Sequence, residues 1–278
     1  MSDDYKPVLR PGSDPLVFFQ LPGATQPGET AKGHIMAAAI SHALNDGELV
    51  VMGANSLLPL AAARLAQLTH APNLSIVAGA SGGVNTLVEP LAPSSGDYAN
   101  LVAEVVLHFP EVLMLQMSGH SHVFFAGGLQ IDRHGNCNLA FVGDIGKPSL
   151  RGPGSAGVPW AQHSARTILY TSSHTPRVFV PQVDFVSYPG WNAADGTARL
   201  NGPQLVITPL AVMDFSARGE MRLVSLHPGV TLEQVRDNTG FDLLLPEGDL
   251  PTSAEPTPIE LQLLRAMDPD ALLTVVAS

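Results

Sequence analysis

Charge is scarce in this sequence: Asp, Glu, Lys and Arg make up only 14% of its 278 residues, against 45% apolar. A chain of this size needs polar surface, so this thin supply implies that part of its exterior is buried against a partner subunit. Basic residues are scarcer still, 14 Lys and Arg against 25 Asp and Glu, for a net charge of −11. That excludes nucleic acid, whose binding draws most of its affinity from clustered Lys and Arg. A small anionic ligand remains open, since a few backbone N–H groups and one or two Arg suffice to hold it. The single cysteine, Cys137, excludes an internal disulfide and fits a reducing compartment. No apolar run approaches the ~20 residues of a membrane helix. The opening "MSDDYKPVLRPGSDP" has no cationic stretch followed by an apolar one, so no signal peptide is expected. These absences together predict a cytoplasmic protein without a membrane segment.

Glycine and proline are plentiful, 26 and 24 residues, and they punctuate a strand–helix alternation. Residues 1–33 read as an N-terminal arm around the apolar island "LVFFQL". From there "AKGHIMAAAISHALNDG" predicts a helix stopped by Gly47, "ELVVMGA" a strand and "LLPLAAARLAQLTHA" a helix with Pro in its tolerant first turn. "NLSIVAGA" predicts a strand, "YANLVAEVVLHF" a helix and "HVFFAGG" a strand, a pattern of parallel βαβ units covered by helices. "LQIDRHGNCNLAFVGD" reads as a hairpin turning at His134-Gly135-Asn136. A helix near "VPWAQHSART" follows, then strands at "TILYTSS", "RVFVPQVDFVSY", "PQLVITPLAVMDF" and "RLVSLHPG". In "TLEQVRDNTG", Thr231 and Gln234 form a capping-box pattern, with Gly240 as the stop. The expected organisation is one α/β domain over 34–245, an open, mainly parallel sheet with helices on both faces. A C-terminal linker and helix occupy 246–278.

Four glycine-rich turns follow strands: "MGANSL", "AGASGG", "AGGLQ" and "RGPGSAG". Such turns let a ligand approach the backbone and offer free N–H donors to an oxyanion or phosphate. "RGPGSAG", opening the next helix, suits an anion best. It lacks the Lys-Ser/Thr of a P-loop, and the turn at Gly53 lacks the three-glycine dinucleotide spacing. His120, His122, His134 and Cys137 fall close together but match no standard zinc pattern, so no metal is expected. Cys137 has no base identifiable beside it, and reads better as a small buried residue than as a nucleophile. "GASGG" is not a nucleophile elbow.

Taken together, "ELVVMGANSLLPLAAARLAQLTHAPNLSIVAGASGG", "EPLAPSSGDY", "HVFFAGGLQIDRHGNCNLAFVGDIGKPSLRGPGSAG" and "RVFVPQVDFVSYPG" resemble the β subunit of class I CoA-transferases of the glutaconate CoA-transferase kind. The order and spacing match over about Glu48 to Trp191. The tail, "MRLVSLHPGVTLEQVRDNTGFDLLLPEG" with "IELQLLRAMDP", is similar to the β subunit of the steroid-ring-opening acyl-CoA hydrolases, which share that structural family. The resemblance implies an open α/β fold of the NagB/RpiA type. It implies a homologous α subunit, in a heterodimer or heterotetramer, with the active site at their interface. It implies an acyl-CoA substrate, so that coenzyme A enters as part of the substrate and no cofactor is bound permanently.

It also implies a departure. In the transferases the strand read here as "NLSIVAGA" ends in a Glu followed by Ser-Gly, and that Glu attacks the thioester. Ala80, before Ser81-Gly82, stands at that position here, and a methyl group cannot attack. No catalytic residue is therefore assigned to this chain. The expected substrate- and CoA-binding residues are Gly79, Ala80, Ser81, Gly82, Gly127, Gly128, Gln130, Arg151, Gly152, Gly154, Ser155 and Gly157. By the same resemblance Gln130, Asp132, Arg133, Gly135 and Asn136 form a turn beside the site, with Asp132 and Arg133 paired across it. Arg151 would meet a CoA phosphate or a substrate carboxylate, or equally bridge to the α subunit. Three readings follow. One is ring-opening hydrolysis of a cyclic β-keto acyl-CoA with the acid or base on the α subunit. The second is CoA transfer through another carboxylate, Glu89 being the one acid close downstream, with no reason to turn back toward Ala80. The third is a non-catalytic subunit that binds CoA or stabilises its partner.

Overall fold

The computed structural model describes residues 30–191 and 202–275. In chain order its elements begin with α1 (Lys32–His42), β1 (Leu49–Met52), α2 (Leu57–Leu68), β2 (Ser75–Ala78), β3 (Gly83–Thr86), β4 (Ala103–Val106) and α3 (Phe109–Met117). Next come β5 (Val123–Ala126), β6 (Gln130–Ile131), β7 (Cys137–Asn138), β8 (Phe141–Asp144), β9 (Lys147–Arg151) and β10 (Arg166–Tyr170). The remainder is β11 (Pro203–Ile207), β12 (Ala211–Phe215), β13 (Met221–Leu226), α4 (Leu232–Asp237), α5 (Pro258–Met267) and α6 (Leu272–Val275). Most of the arm expected over 1–33, "LVFFQL" included, lies outside the described residues. The described residues fall into two compact units, one of residues 30–112 with 256–275 and one within 113–255.

In the first unit β1 and β2 run parallel, in register from Leu49 opposite Ser75 to Met52 opposite Ala78. β3 joins β2 antiparallel and β4 joins β3 antiparallel. The α/β class is as expected, with antiparallel strands flanking the parallel pair. Helix α1 is buried on almost every side, which its Ile, Met and Ala content permits. Helix α2 packs against it through alanines, of which Ala61, Ala62, Ala63 and Ala66 are fully buried. Small side chains bring the helix axes close, and the many short contacts offset the small area that each buries. At Gly33 a Cβ would fall on the carbonyl of Leu273, so the backbone of α6 lies directly on α1. The sequence end is fastened there a second time. Thr257 and Glu260 form a capping box that opens α5, and a Glu260 carboxylate oxygen lies 2.6 Å from Nε2 of His42 at the end of α1.

The helix expected over 98–109 is absent. Residues Tyr98–Leu101 make one 3-10 turn, and Ala103–Val106 then form β4 opposite β3. The apolar spacing was right for a helix, but Val102, Val105 and Val106 are β-branched and stiff, and the free edge of β3 gives them hydrogen-bond partners. The true helix, α3, begins at Phe109.

In the second unit β5, β10 and β11 are parallel, and β12 and β13 follow antiparallel. β6 pairs with β7 across the predicted turn, where Gly135 takes φ +74°, a conformation that favours glycine. β8 and β9 form a second hairpin. The strand expected over "RVFVPQVDFVSY" is replaced by irregular chain that makes two isolated bridges, Phe179 to Ile131 and Tyr188 to Cys137. Pro181 sits between them and has no N–H to donate to a ladder. The helix expected near "VPWAQHSART" is a six-residue 3-10 helix, Val158–His163. The capping box at Thr231 is present, with Thr231 N–H donating to Gln234 Oε1 at 2.8 Å and Gln234 N–H to Thr231 Oγ1 at 3.2 Å. Its helix ends at Asp237, before the expected Gly240 stop. Among the described residues, no helix is long and apolar enough to cross a membrane.

Candidate functional site

In the first unit the carboxyl ends of β1 and β2 open onto a corner built from three turns, Gly53–Ser56, Gly79–Gly82 and Ser94–Asp97. The serines of the third turn tie it to the first. Ser94 Oγ accepts from the N–H of Asn55 at 3.2 Å and of Gly96 at 3.1 Å, and Ser95 Oγ accepts from Ser56 N–H and donates to the Gly53 carbonyl. Ala80 is exposed at this corner. A Cβ added at Gly96 would lie 3.5 Å from the Ala80 methyl, 3.6 Å from Ser94 Oγ and 4.0 Å from the Ala54 methyl. The walls of the corner are thus a methyl, a hydroxyl, a methyl and a glycine.

The glycines around Ala80 have a different task from the one expected of them. A Cβ at Gly79 would lie 2.5 Å from the Met52 carbonyl oxygen; one at Gly82 would fall on the Leu107 carbonyl. At Gly83 it would fall on the carbonyl of Asn100. Neighbouring backbone already fills those spaces. The N–H groups of Gly79, Ser81 and Gly82 are also taken, by the carbonyls of Met52 and Ala78, and Ser81 Oγ donates to Ala78 O at 3.1 Å. The N–H of Ala80 donates to no described residue. The nearby acids in sequence are occupied. Glu89 accepts from Arg64 at 2.9 Å, Asp97 from Ala99 N–H at 2.8 Å and Glu104 from Asn85 at 2.7 Å.

In the second unit, Gly127 and Gly128 follow β5 directly, and their N–H groups donate to no described residue. Gly128 rides on the side chain of Cys137, where a Cβ would strike Sγ. The thiol is fully buried, and desolvation, with Asp132 nearby, pushes it up to about 12. It is a packing group and no thiolate nucleophile. Gln130 is buried with both ends of its amide engaged: Oε1 accepts from Asn138 at 2.8 Å and from Asp184 N–H at 3.0 Å, and Nε2 donates to Asp184 at 2.9 Å. Asp132 does not reach across to Arg133. Its carboxylate accepts from the N–H groups of His134 and Asn136 and from the Asn136 amide, closing the hairpin turn.

The Gly152–Gly157 segment follows β9. A Cβ at Gly152 would fall on the Leu139 carbonyl, whereas Gly154 and Gly157, with φ +90° and +83°, face open space. The N–H groups of Gly152 and Gly154 are held by the carbonyls of Ala140 and Leu139, at 2.9 and 3.1 Å. Ser155 Oγ donates to Ser187 Oγ at 2.9 Å, and the N–H groups of Ser155, Ala156 and Gly157 donate to no described residue. A 3-10 helix of six residues adds little dipole, so any anion here rests on those local N–H groups and on Arg151. Arg151 is exposed and ion-paired with no described residue.

The sequence reading missed Ser94, Ser95 and Gly96. Their "SSG" after a proline signals a turn, but nothing in sequence says that it docks on Asn55 and Ser56, 39 residues away. The clustered histidines separate in function: His120 meets Ser118 Oγ, and His134 meets the Gly219 carbonyl. Among the described residues, no three His, Cys, Asp or Glu side chains group as a metal site requires.

Comparison with known proteins places the chain in a family. The sequence profile described as Coenzyme A transferase matches residues 34–238. The chain is 34% identical to the B-type subunit of the 3-oxoadipate CoA-transferase of Pseudomonas knackmussii, over 84% of this chain and 92% of that one. It is likewise 34% identical to the IpdB subunit of the cholesterol ring-cleaving hydrolase of Rhodococcus jostii, over 88% of this chain and 95% of that one. The crystal structure of glutaconate coenzyme A-transferase from Acidaminococcus fermentans superposes with a TM-score of 0.78 at 27% identity, over 88% of this chain and 98% of the other. By sequence and by fold, the chain belongs to the coenzyme A transferase family.

Proposed function

We propose that this chain is the B-type subunit of a heteromeric enzyme that opens a ring in a cyclic β-keto acyl-CoA by C–C hydrolysis, with the acid or base on its A-type companion. One observation carries the reading. The strand end at which the transferases keep a nucleophilic Glu delivers an exposed methyl, Ala80, walled by Ala54, Ser94 and Gly96. A thioester cannot be attacked from there, and the covalent adduct that splits transfer into two easier steps is out of reach.

The chemistry needs only water and a place for developing charge. Water, deprotonated by the companion's base, adds to the ring ketone. The tetrahedral intermediate collapses with cleavage of the bond between that carbon and the carbon next to the thioester. The ketone carbon becomes a carboxylate, and the electron pair passes into the thioester as an enolate, which is then protonated on carbon. The unengaged N–H groups of Gly127 and Gly128 suit the enolate oxygen, and such donors typically contribute 10²–10³ in rate. Arg151 and the N–H groups of Ser155 to Gly157 suit a CoA phosphate. Coenzyme A arrives with the substrate, and no permanently bound cofactor is required. The likeness to IpdB supports a steroid-derived ring, and a cytoplasmic setting accords with the composition.

CoA transfer through another carboxylate is the second reading, favoured by equal identity to the 3-oxoadipate CoA-transferase relative. The two separate cleanly. The chain is co-expressed with an A-type subunit and given cyclic β-keto acyl-CoA thioesters and dicarboxylate acceptors. Ring-opened acyl-CoA without borohydride-trappable adduct is the expected result. A trapped thioester on a Glu of either chain, with CoA passing to an acceptor, overturns the hydrolytic reading in favour of transfer. Full ring-opening activity after disruption of both Gly127-Gly128 and Gly152–Gly157 reduces the chain to a scaffold.

A further inference from the structure

The geometry points to Asn138 as a positioning residue that sets the Gly127–Gly128 turn and the Gly152–Gly157 loop in one frame. Its catalytic consequence rests on the reading above; its structural consequence does not. Asn138 is fully buried, yet every polar atom of its side chain is engaged. Nδ2 donates to Gln130 Oε1 at 2.8 Å and to the Phe141 carbonyl at 2.6 Å, while Oδ1 accepts from Ala140 N–H at 2.9 Å. A buried amide with all its partners in place has one low-energy orientation, because any rotation leaves polar groups unpaired away from water.

That single orientation is passed on in two directions. Backward, the Asn138 carbonyl accepts from Leu129 N–H at 2.7 Å, just beyond Gly128. Gln130, gripped by Asn138, in turn holds Asp184, whose carboxylate accepts from Gly143 N–H at 2.8 Å. Forward, the amide fixes the peptides of 139 and 140, and the carbonyls of Leu139 and Ala140 are those that hold Gly154 and Gly152. Leu139 N–H donates to Ser187 Oγ at 3.0 Å, the same hydroxyl that receives Ser155. Both turns with unengaged N–H groups therefore hang from one side chain that faces neither ligand nor solvent. Gln130 belongs to this support, one step back from any substrate.

The substitution Asn138→Asp keeps the size and removes both donors, setting oxygens against Gln130 Oε1 and the Phe141 carbonyl. In the full chain assembled with its companion, backbone hydrogen exchange followed by mass spectrometry should accelerate at least tenfold at the engaged N–H groups of both segments, Leu129 in one and Gly152 and Gly154 in the other. The segment 203–215 should hold its wild-type rate. Ring-opening kcat, normalised to titrated active sites, should fall at least tenfold with KM changed by less than threefold. A purely stabilising role would instead lower the unfolding midpoint and leave normalised kcat alone. Should Asn138→Asp not fold, the exposed Asp184 tests the same chain of contacts. Asp184→Ala should loosen both segments, and Asp184→Asn, which keeps an oxygen for Gln130 and Gly143, should restore them. Unchanged exchange in either segment, in whichever variant folds, overturns the proposal. Coupled loosening without any ring-opening activity in the wild type overturns the assigned reaction and leaves the positioning role standing.

Discussion

Two glycine-rich corners, Gly79–Gly83 and Gly152–Gly157, look alike in sequence and are built on opposite principles. In the first, glycine is a packing device: the space of each missing Cβ at Gly79, Gly82 and Gly83 is taken by a carbonyl of another segment. Its N–H groups are mostly engaged, and the methyl of Ala80 is exposed. In the second, Gly154 and Gly157 are conformational devices, with positive φ and open space around them. They turn the chain where the N–H groups of Ser155, Ala156 and Gly157 donate to no described residue, and a buried polar network lies behind them. One corner packs backbone against backbone; the other leaves N–H groups unengaged. A glycine-rich turn therefore says nothing about ligands until the occupant of the absent side chain is known.

The sharpest break of that contrast is the same substitution made in both corners. Gly83→Ala drives a methyl into the Asn100 carbonyl and should cost about 3 kcal/mol, read as a lower urea midpoint at constant m-value. Gly157→Ala meets nothing and should cost only the left-handed backbone, about 1 kcal/mol. Equal costs would erase the distinction.

Ala80→Glu comes next. The side chain is exposed, so stability should move by no more than about 0.5 kcal/mol. Ring opening by the assembled enzyme should fall about 100-fold, roughly 2.7 kcal/mol in the barrier. Unchanged turnover would mean that the corner does not shape the cavity.

Acid tests the second unit from another side. His174 stacks on Phe179 with its ring nitrogens against Thr208 and Thr239, and burial lowers its pKa to about 3. His227 lies between Ser253 and the Thr208 carbonyl, and burial lowers its pKa to about 4. Both are neutral when folded and take up a proton on unfolding below their ordinary value of 6.5. Stability should thus be fully present above that pH and fall as pH drops toward 4, by about 2 kcal/mol per histidine at pH 5. His174→Asn should reduce that pH dependence by about half, leaving the share of His227, in urea titrations at pH 5 and 7.5. The smallest effect is expected at the rim. Arg151→Gln should raise KM for the acyl-CoA about fivefold, leave kcat within twofold, and lose that difference as salt rises.

Much of this was legible in the sequence, and the failures share a cause. The strands Leu49–Met52 and Ser75–Ala78, the turn at Gly135 and the Thr231 capping box follow from local rules, and local rules suffice where an element is set by its own residues. Residues 98–109 broke those rules because an open strand edge elsewhere recruited them. Residues 177–188 broke them because Phe179 and Tyr188 bridge to two different places in the β6–β7 hairpin. The glycines were legible in sequence as turns, and Ala80 as the residue exposed beyond β2. The site was not legible at Ser94 and Ser95, or at Asn138, since those act only through partners that sequence order does not bring together.

The first unit is also discontinuous along the chain: α5 and α6 complete a helical layer that α1 and α2 begin, with the whole second unit synthesised between them. During translation the backbone of Leu273 reaches Gly33 only after the second unit has been made, so the apolar helices of the first unit wait uncovered until then. A premature stop near residue 255 should therefore spare the portion just made and ruin the portion made first.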